Sequence, residues 1–576
     1  MRIKHFFGLA VLAAMTASCS SNNDLVNGGG NGSSENESGA SYASFSINLP
    51  TTRGTRATDP TFDKGDAKEY DVFNATLLVF KQGEATSEGN YTLAETVDLG
   101  SMEPWKDPSE TGVTTQAKIT AKLENVDTND NYFALVLLNN GSGTDAKVTL
   151  PSEGEKFSAW NVAAKANPDK FTDTKKGFYM ANAPLYNSTN KNVTTLVAID
   201  KNKIFPTEAQ ASSGEAAADI YVERGLAKVT LTADTKDEKP VATSSSYAGD
   251  KVKISNWALD VTNLKTFPIH NVDELGYEDI WKNEAAASGP STQRFVDNNP
   301  ETLVKRVYWG KDPNYDKEDL RNTDEAGKTA RAAEFNYVTE NKKVTADPTK
   351  PLYCLENTFN LANMMQGQTT RVIFKASYTP NGFTEEDGKT FYKVGTSVAL
   401  WKQKDLEAHI KAAVSKVFSV TTTDDITINL AAKGNDITAA GNHVITAANF
   451  TVKGHDTVKP EEEQAVNDKV GLTKDAGIST YANGESYYIA RIKHFGDALT
   501  PWNSGESYGN NNLKYLGRYG MLRNNWYELN VQSVSGPGYP DVPEVKPNTP
   551  DDEDDKYIKV SVKILNWAKR SQDVNL

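Results

Sequence analysis

The sequence predicts a mainly β protein made of two β-sandwich domains, and three observations carry that prediction. Short apolar segments, alternating with period two or running continuously through β-branched and aromatic residues, recur between turn signals. One stretch, 405–418, has clear helical periodicity, so a few short helices are expected in the C-terminal domain. The two ends of the chain carry strands of matched design. Ala43, Phe45, Ile47 and Leu49 share one face near the start, and Ile558, Val560, Val562 and Ile564 share one face near the end.

Taken in order, the chain opens with a basic Met1–His5, an apolar run through Met15 and small residues before Cys19. That is a signal peptide over 1–18, with Cys19 placed for cleavage and lipidation as in a bacterial lipoprotein. An Asn/Gly/Ser leash leads to the first strand, and the basic turn-rich loop with Arg53 and Arg56 follows it. Such a loop suits a trypsin-like protease. Residues 19–56 therefore read as a leash plus a removable strand. Segments 74–80, 117–123, 131–138 and 194–199 read as strands of a sandwich over 57–218, with 131–138 apolar enough to be central and buried. The small-residue stretch 207–218 reads as weakly structured. A second sandwich is expected over 219–535, opening at Asp219 and continuing through 251–261, 370–378, 486–495 and 523–534. Residues 266–350 are polar and read as long surface loops with a few helical turns. Asp405 is available to cap the helix whose apolar face is Leu406, Ile410, Ala413, Val414 and Val417.

Five prolines and the acidic run Asp551–Asp555 make 536–556 an extended, solvated tether. The strand over 557–576 hangs from it. One strand lies behind a cleavable loop and a look-alike waits on a tether, which is the pattern of strand replacement by β-addition to a sheet groove. The apolar phase breaks between Ile564 and Leu565. Leu565 and Trp567 thus face away from the first four unless a bulge intervenes, and either set could fill a groove.

Composition narrows the chemistry. A net charge of −14 and a pI near 5.2 make nucleic acid a poor partner. After removal of the leader, Cys354 is the one cysteine besides Cys19, so the mature chain has no disulfide of its own. The six histidines share no ligand spacing, and no nucleophile elbow, phosphate loop or dinucleotide fingerprint is present. His494 reads as an edge-strand residue. Asp312–Asp316 begins like a calcium loop but has Lys317 and Thr323 where glycine and glutamate are required. No metal, cofactor or catalytic activity is expected.

Several stretches together resemble the fimbrillins of Bacteroidales, the shaft subunits of type V pili, and in particular the major subunit of the short (Mfa-type) fimbriae. They are the lipobox at Cys19, 41–50 leading to Arg56-Ala57, Tyr221–Val229, Tyr487–Phe495, Arg523–Tyr527, Gly536–Pro540, and Val560–Trp567 with the tail 573–576. The resemblance implies two transthyretin-like sandwiches and export as a palmitate-bearing outer-membrane lipoprotein. It also implies removal of the first strand by an arginine-specific protease, for which Arg56 matches the cleavage position better than Arg53. The emptied groove would take the C-terminal strand of an identical neighbour, head to tail. Further partners so implied are fimbrial anchor and tip subunits and host or bacterial surface receptors, with adhesion and colonisation as the role. The competing reading is a permanently anchored binding lipoprotein: a fimbrial anchor, a tip adhesin or a glycan-binding surface protein.

Overall fold

The computed structural model describes residues 40–48, 69, 71–102, 116–273, 275, 295–296, 304–502, 513–552 and 558–566, apart from 128, 174, 188, 191, 340–342, 474 and 498. Within them the chain is mainly β, with β-sandwich sheets and a few short helices. It divides into two compact units. The first runs to Gly225 and includes Phe267–Leu275 and Phe295–Gly310, and the second holds the rest.

The first unit is assembled from β1 (Ser41–Asn48), β2 (Val72–Lys81), β3 (Thr92–Met102), β4 (Gln116–Leu123), β5 (Tyr132–Leu138), β6 (Met180–Asn182), β7 (Ile204–Phe205) and β8 (Ala218–Arg224). One sheet sets β1 between β4 on one edge and β7 and β8 on the other; the second runs β8-β6-β5-β2-β3. Strand β8 belongs to both, since Ala218–Tyr221 pair with β1 and Val222–Arg224 with β6. That strand, which the sequence assigns to the opening of the second sandwich, thus completes the first. β5 is the buried central strand its composition calls for: Ala134 to Leu138 are all fully buried. Its end is set by Asn139, whose left-handed backbone (φ 58°) turns the chain while its amide binds Asp71 O, Phe178 O and Phe73 N at 2.7–2.8 Å. On β6, the buried Asn182 side chain accepts from Val136 N and donates to Ala134 O and Thr195 O at 2.8–3.0 Å, so a polar residue deep in the sheet is fully partnered.

Two regions of this unit differ from the sequence expectation. Residues Glu208–Ser213 form a helix, α1, where small residues suggested weak structure. Thr207 caps it through Gln210 N, so Thr207-Glu-Ala-Gln210 is a capping-box sequence. The stretch expected as surface loops also contributes core: Ile269, Phe295, Val296, Val307 and Trp309 are all fully buried. Polar composition reflects the residues between these anchors and conceals the anchors themselves.

In the second unit, β9 (Ala227–Leu231), β10 (Lys251–Asp260), β11 (Leu352–Cys354), β12 (Arg371–Thr379), β13 (Phe391–Val394), β14 (Ile478–Tyr481), β15 (Glu485–Arg491), β16 (Asn525–Val534) and β17 (Ile558–Asn566) supply the principal strands. One sheet is ordered β11-β9-β16-β17 and the other carries β10-β12-β15. Trp257, Phe374, Tyr488, Tyr527, Leu529 and Val531 fill the core that both sheets supply. Between β12 and β15 the chain builds a satellite core, where α3 (Gln403–Phe418) and α4 (Pro460–Val470) pack with β13 and β14; α2 (Glu325–Glu334) precedes them. Leu406, Ile410, Ala413 and Val414 are the buried face of α3 and Val417 is partly buried, as the periodicity requires. The helix begins at Gln403, so Asp405 lies in its first turn and is not the cap. His494 lies beyond the end of β15, buried, with Nδ1 at 2.7 Å from the Tyr527 hydroxyl; it is a packed core residue, not one at a strand edge.

The proline-rich segment is not a solvated tether over its described length. Gly536 to Asp552 lie along the second unit, bonded at Tyr488 Oη to Gly536 O, Tyr481 Oη to Gly538 O, reciprocally between Tyr487 and Tyr539, and from Arg371 to Pro543 O. Proline leaves no donor to satisfy but keeps its carbonyl, so a proline-rich strand can be fastened through oxygens by donors on the body it crosses.

Replacing Asn182 by leucine would leave the Val136 N–H and the Ala134 and Thr195 carbonyls buried without their partner. At about 1–3 kcal/mol for a stranded buried group, the variant is expected to lose about 2–4 kcal/mol in denaturant unfolding.

Candidate strand-exchange site

Strand β1 is held on both edges. All eight residues pair antiparallel with β4, from Ser41↔Leu123 to Asn48↔Gln116. Across the other edge, Tyr42 and Ala43 face β7, and Phe45 to Asn48 run parallel to Ala218–Tyr221 of β8. Ala43, Phe45 and Ile47 each have 0% exposure and enter the same core as Ala121, Leu123, Ile220 and Val222. These three expected anchors are therefore brought together in one row. Leu49, Cys19, Arg53, Arg56 and Trp567 lie outside the described residues.

The second face of β1 is also buried, which alternation with serine does not announce. Ser44 donates to Ala211 O of α1 at 2.6 Å and meets the Thr120 hydroxyl of β4 at 2.8 Å. Its own carbonyl receives Ala217 N at 2.6 Å. Lys118 on β4 reaches Ser212 O at 2.8 Å and Gly214 O beyond it, setting a cation on the last carbonyls of α1. Helix α1 thus roofs the polar face of β1 and is fastened to the neighbouring strand. A serine beneath a roof reads in sequence like a serine in water, and the capping-box pattern at Thr207 is the available clue to the roof. The chain next enters the described residues at Glu69, where Arg224 donates to its carbonyl from Nε at 3.3 Å and Nη2 at 3.0 Å. That buried guanidinium anchors the chain three residues before β2.

If β1 were removed, the gap it left would expose unpaired backbone groups on β4, β7 and β8, above a core lacking three apolar side chains. Only another extended segment restores both ladders.

The C-terminal strand presents the contrasting situation. β17 pairs antiparallel with β16 alone among the described residues and forms the edge of its sheet. Val560, opposite Val531, is buried in the core of the second unit. Ile564 and Leu565 pair with successive residues, Tyr527 and Trp526, so no bulge lies at the phase break. The one register shift falls between Val531 and Ser533, near the other end. Ile558 pairs with Val534 and Val562 with Leu529.

The calcium-like segment turns inward. Asp312 is buried and its carboxyl accepts from Asn263 Nδ2 and Asn314 N at 2.6 Å and from Thr358 N at 2.9 Å, while Asp316 is exposed. Burial pushes the Asp312 carboxyl up to about 7 against the pull of those three donors. Among the described residues no group of three or more His, Cys, Asp or Glu is placed to hold a metal ion.

Residues 479–573, which include β15, β16, the proline-rich strap and β17, match the family model described as major fimbrial subunit protein type IV, fimbrillin, C-terminal. That match supports a fimbrillin-family protein. It also supports a structural subunit of a cell-surface fimbrium that polymerises with other fimbrial subunits. No curated protein matches the chain.

Two measurements follow from this geometry. Phe45→Ala should cost about 3–5 kcal/mol of precursor stability, read from denaturant unfolding, because it empties a fully buried position in the core between two ladders. Stability should also fall as pH rises from about 4 to 7: folded Asp312 keeps its proton until about 7 whereas an unfolded aspartate releases it near 4, so the unfolded state binds fewer protons. One such group contributes a slope of at most about 1.4 kcal/mol per pH unit, and Asp312→Asn should flatten unfolding curves across that window by up to this amount.

Proposed function

We propose that this chain is the subunit of a type V fimbrium of the Bacteroidales kind, of the short Mfa-type, and that it polymerises by donor-strand exchange. It acts structurally and performs no catalysis. In this reading Cys19 carries the lipid during export to the outer membrane, and an arginine-specific protease cuts at Arg56. β1 then becomes a separate peptide, and the C-terminal strand of an identical neighbour takes its place. Anchor and tip subunits end the fibre, and its surface serves adhesion.

The observation that carries the reading is the contrast between the two terminal strands. β1 sits between partners on both edges with both faces covered, whereas β17 has a partner on one edge among the described residues. A strand moving from a one-sided to a two-sided place gains a second ladder. Each large apolar side chain newly buried there adds about 1.5–3 kcal/mol. While β1 is in place the groove is full, so the precursor is protected from self-association until it is cut. Contacts that run head to tail do not close, and they propagate into a filament.

The test uses purified precursor treated with an arginine-specific protease and examined on a non-boiled gel. Wild type should give a ladder of heat-labile multimers, and Arg56→Ala or truncation before Tyr557 should abolish it. Monomers after verified cleavage at Arg56 would overturn the exchange and favour an anchored binding lipoprotein.

A further inference from the structure

The strap from Gly536 to Asp552 ends in a clasp. Asp551 is 3% exposed; its Oδ2 accepts from the Thr369 hydroxyl at 2.5 Å and its Oδ1 lies 3.3 Å from Arg491 Nε. Asp552 takes Arg518 in a two-pronged pair, with Nε at 2.8 Å from Oδ2 and Nη2 at 2.8 Å from Oδ1, and the Tyr519 hydroxyl donates to it at 2.8 Å. Arg518 also donates to Thr500 O at 2.6 Å and meets Asp497. Just before the clasp, Gln366 N donates to Thr549 O at 2.8 Å, and Met365 pairs with Pro550 in an antiparallel bridge. Strap, aspartates and arginines all belong to the second unit.

We propose that Asp551 and Asp552 are positioning residues for polymerisation: they pin the strap to its own subunit as the fixed pivot, and only the chain beyond Asp552 leaves to fill a neighbour. This rests on the donor-strand reading and adds which part of the C-terminal segment moves. The physical reason is the asymmetry on either side of the pivot. Peeling away Asp552 would strand the Arg518 guanidinium, whose side chain is 2% exposed, without its main counter-charge, and stranding one partner of a buried pair is strongly unfavourable. Detaching β17 breaks one ladder at a sheet edge, and the acceptor replaces it. The pivot also sets reach. Five residues separate Asp552 from Ile558, and at about 3.3–3.6 Å per extended residue the six steps between them span at most about 22 Å. A donor pivoting at Asp552 therefore holds the next subunit close, whereas a strap peeled from Gly536 would leave it on a long tether.

Two engineered disulfides separate these cases in the full-length chain carrying Cys19→Ser, where the remaining Cys354 is buried. Directly opposed bridge residues sit about 4.5–5.5 Å apart at Cα, within disulfide range. Met365→Cys with Pro550→Cys locks the strap; Asn530→Cys with Ser561→Cys, a register pair of β16 and β17, locks the strand. After cleavage at arginine, the oxidised strap lock should polymerise within about twofold of its reduced form. The oxidised strand lock should give no ladder until reduced. Asp551→Asn with Asp552→Asn should lower the multimer yield about tenfold or more, and adding the oxidised strap lock to it should restore the yield. A strap lock that blocks the ladder until reduced would overturn the fixed pivot, as would unchanged polymerisation of the double aspartate variant or failure of the lock to rescue it. A strand lock that polymerises while oxidised would overturn the donor-strand reading itself.

Discussion

Every buried backbone N–H and C=O on a strand edge needs a partner, and between β4, β7 and β8 the first unit meets that demand with a segment from the very start of the described chain. β1 satisfies β4 on one side and β7 with β8 on the other, and three of its side chains complete the core. Strand β8 can serve two sheets because its first half has β1 as a neighbour. The sandwich thus depends on a strand joined to the rest of the unit, in sequence, only through the stretch that leads to Glu69. The second unit repeats the arrangement: β9, its first strand, runs parallel to β16 and antiparallel to β11. No internal repeat marks this in the sequence, because a strand's place depends on alternation and partners that many residue choices satisfy.

The stretch Tyr221–Val229 shows how a short run can serve two bodies. Glu223 lies 2.9 Å from His270 and 3.3 Å from Arg306, and Arg224 holds the Glu69 carbonyl. Gly225 bonds Tyr179 O, and a Cβ there would sit 2.8 Å from the Tyr179 ring. These contacts lie in the first unit. Past Leu226 the same run turns to the second, where Lys228 lies 4.0 Å over the Trp526 ring. Charged residues in a β-rich stretch suggest a solvated edge, yet Glu223, Arg224 and Lys228 are all buried.

What was legible in the sequence was periodic or local. The apolar row of β1, the buried run of β5 and the face of α3 all follow from spacing, which reports one face of one element. What was not legible depends on a second element arriving from far along the chain. Ser44 and Ser46 alternate like surface residues, but α1 and its neighbours bury them. Asp551 and Asp552 sit in an acidic run that reads as solvated; the arginines that neutralise them lie 60 and 34 residues earlier, in segments whose own patterns give no sign of it. Asp312 opens a segment that begins like a calcium loop but lacks its glycine and glutamate, and its carboxyl accepts from three internal donors. Composition describes what a segment would do alone, and burial is decided by what it meets.

The two terminal strands are alike in pattern and unlike in surroundings, and that difference is what a strand-exchange mechanism requires. Were β17 paired on both edges like β1, giving it up would break two ladders; among the described residues it pairs with β16 alone. Were β1 at an edge, its loss would leave a surface and not a groove, and a replacement would gain one ladder at most. In the proposed exchange, cutting an enclosed strand free and lending an edge strand would place the free-energy difference in the direction of assembly. The strap completes the logic, since a lent strand transmits force along a fibre only if its other end is fastened. Buried ion pairs suit that fastening better than apolar contact alone. They are directional, their loss leaves a charge uncompensated, and salt screens them little because water does not reach them.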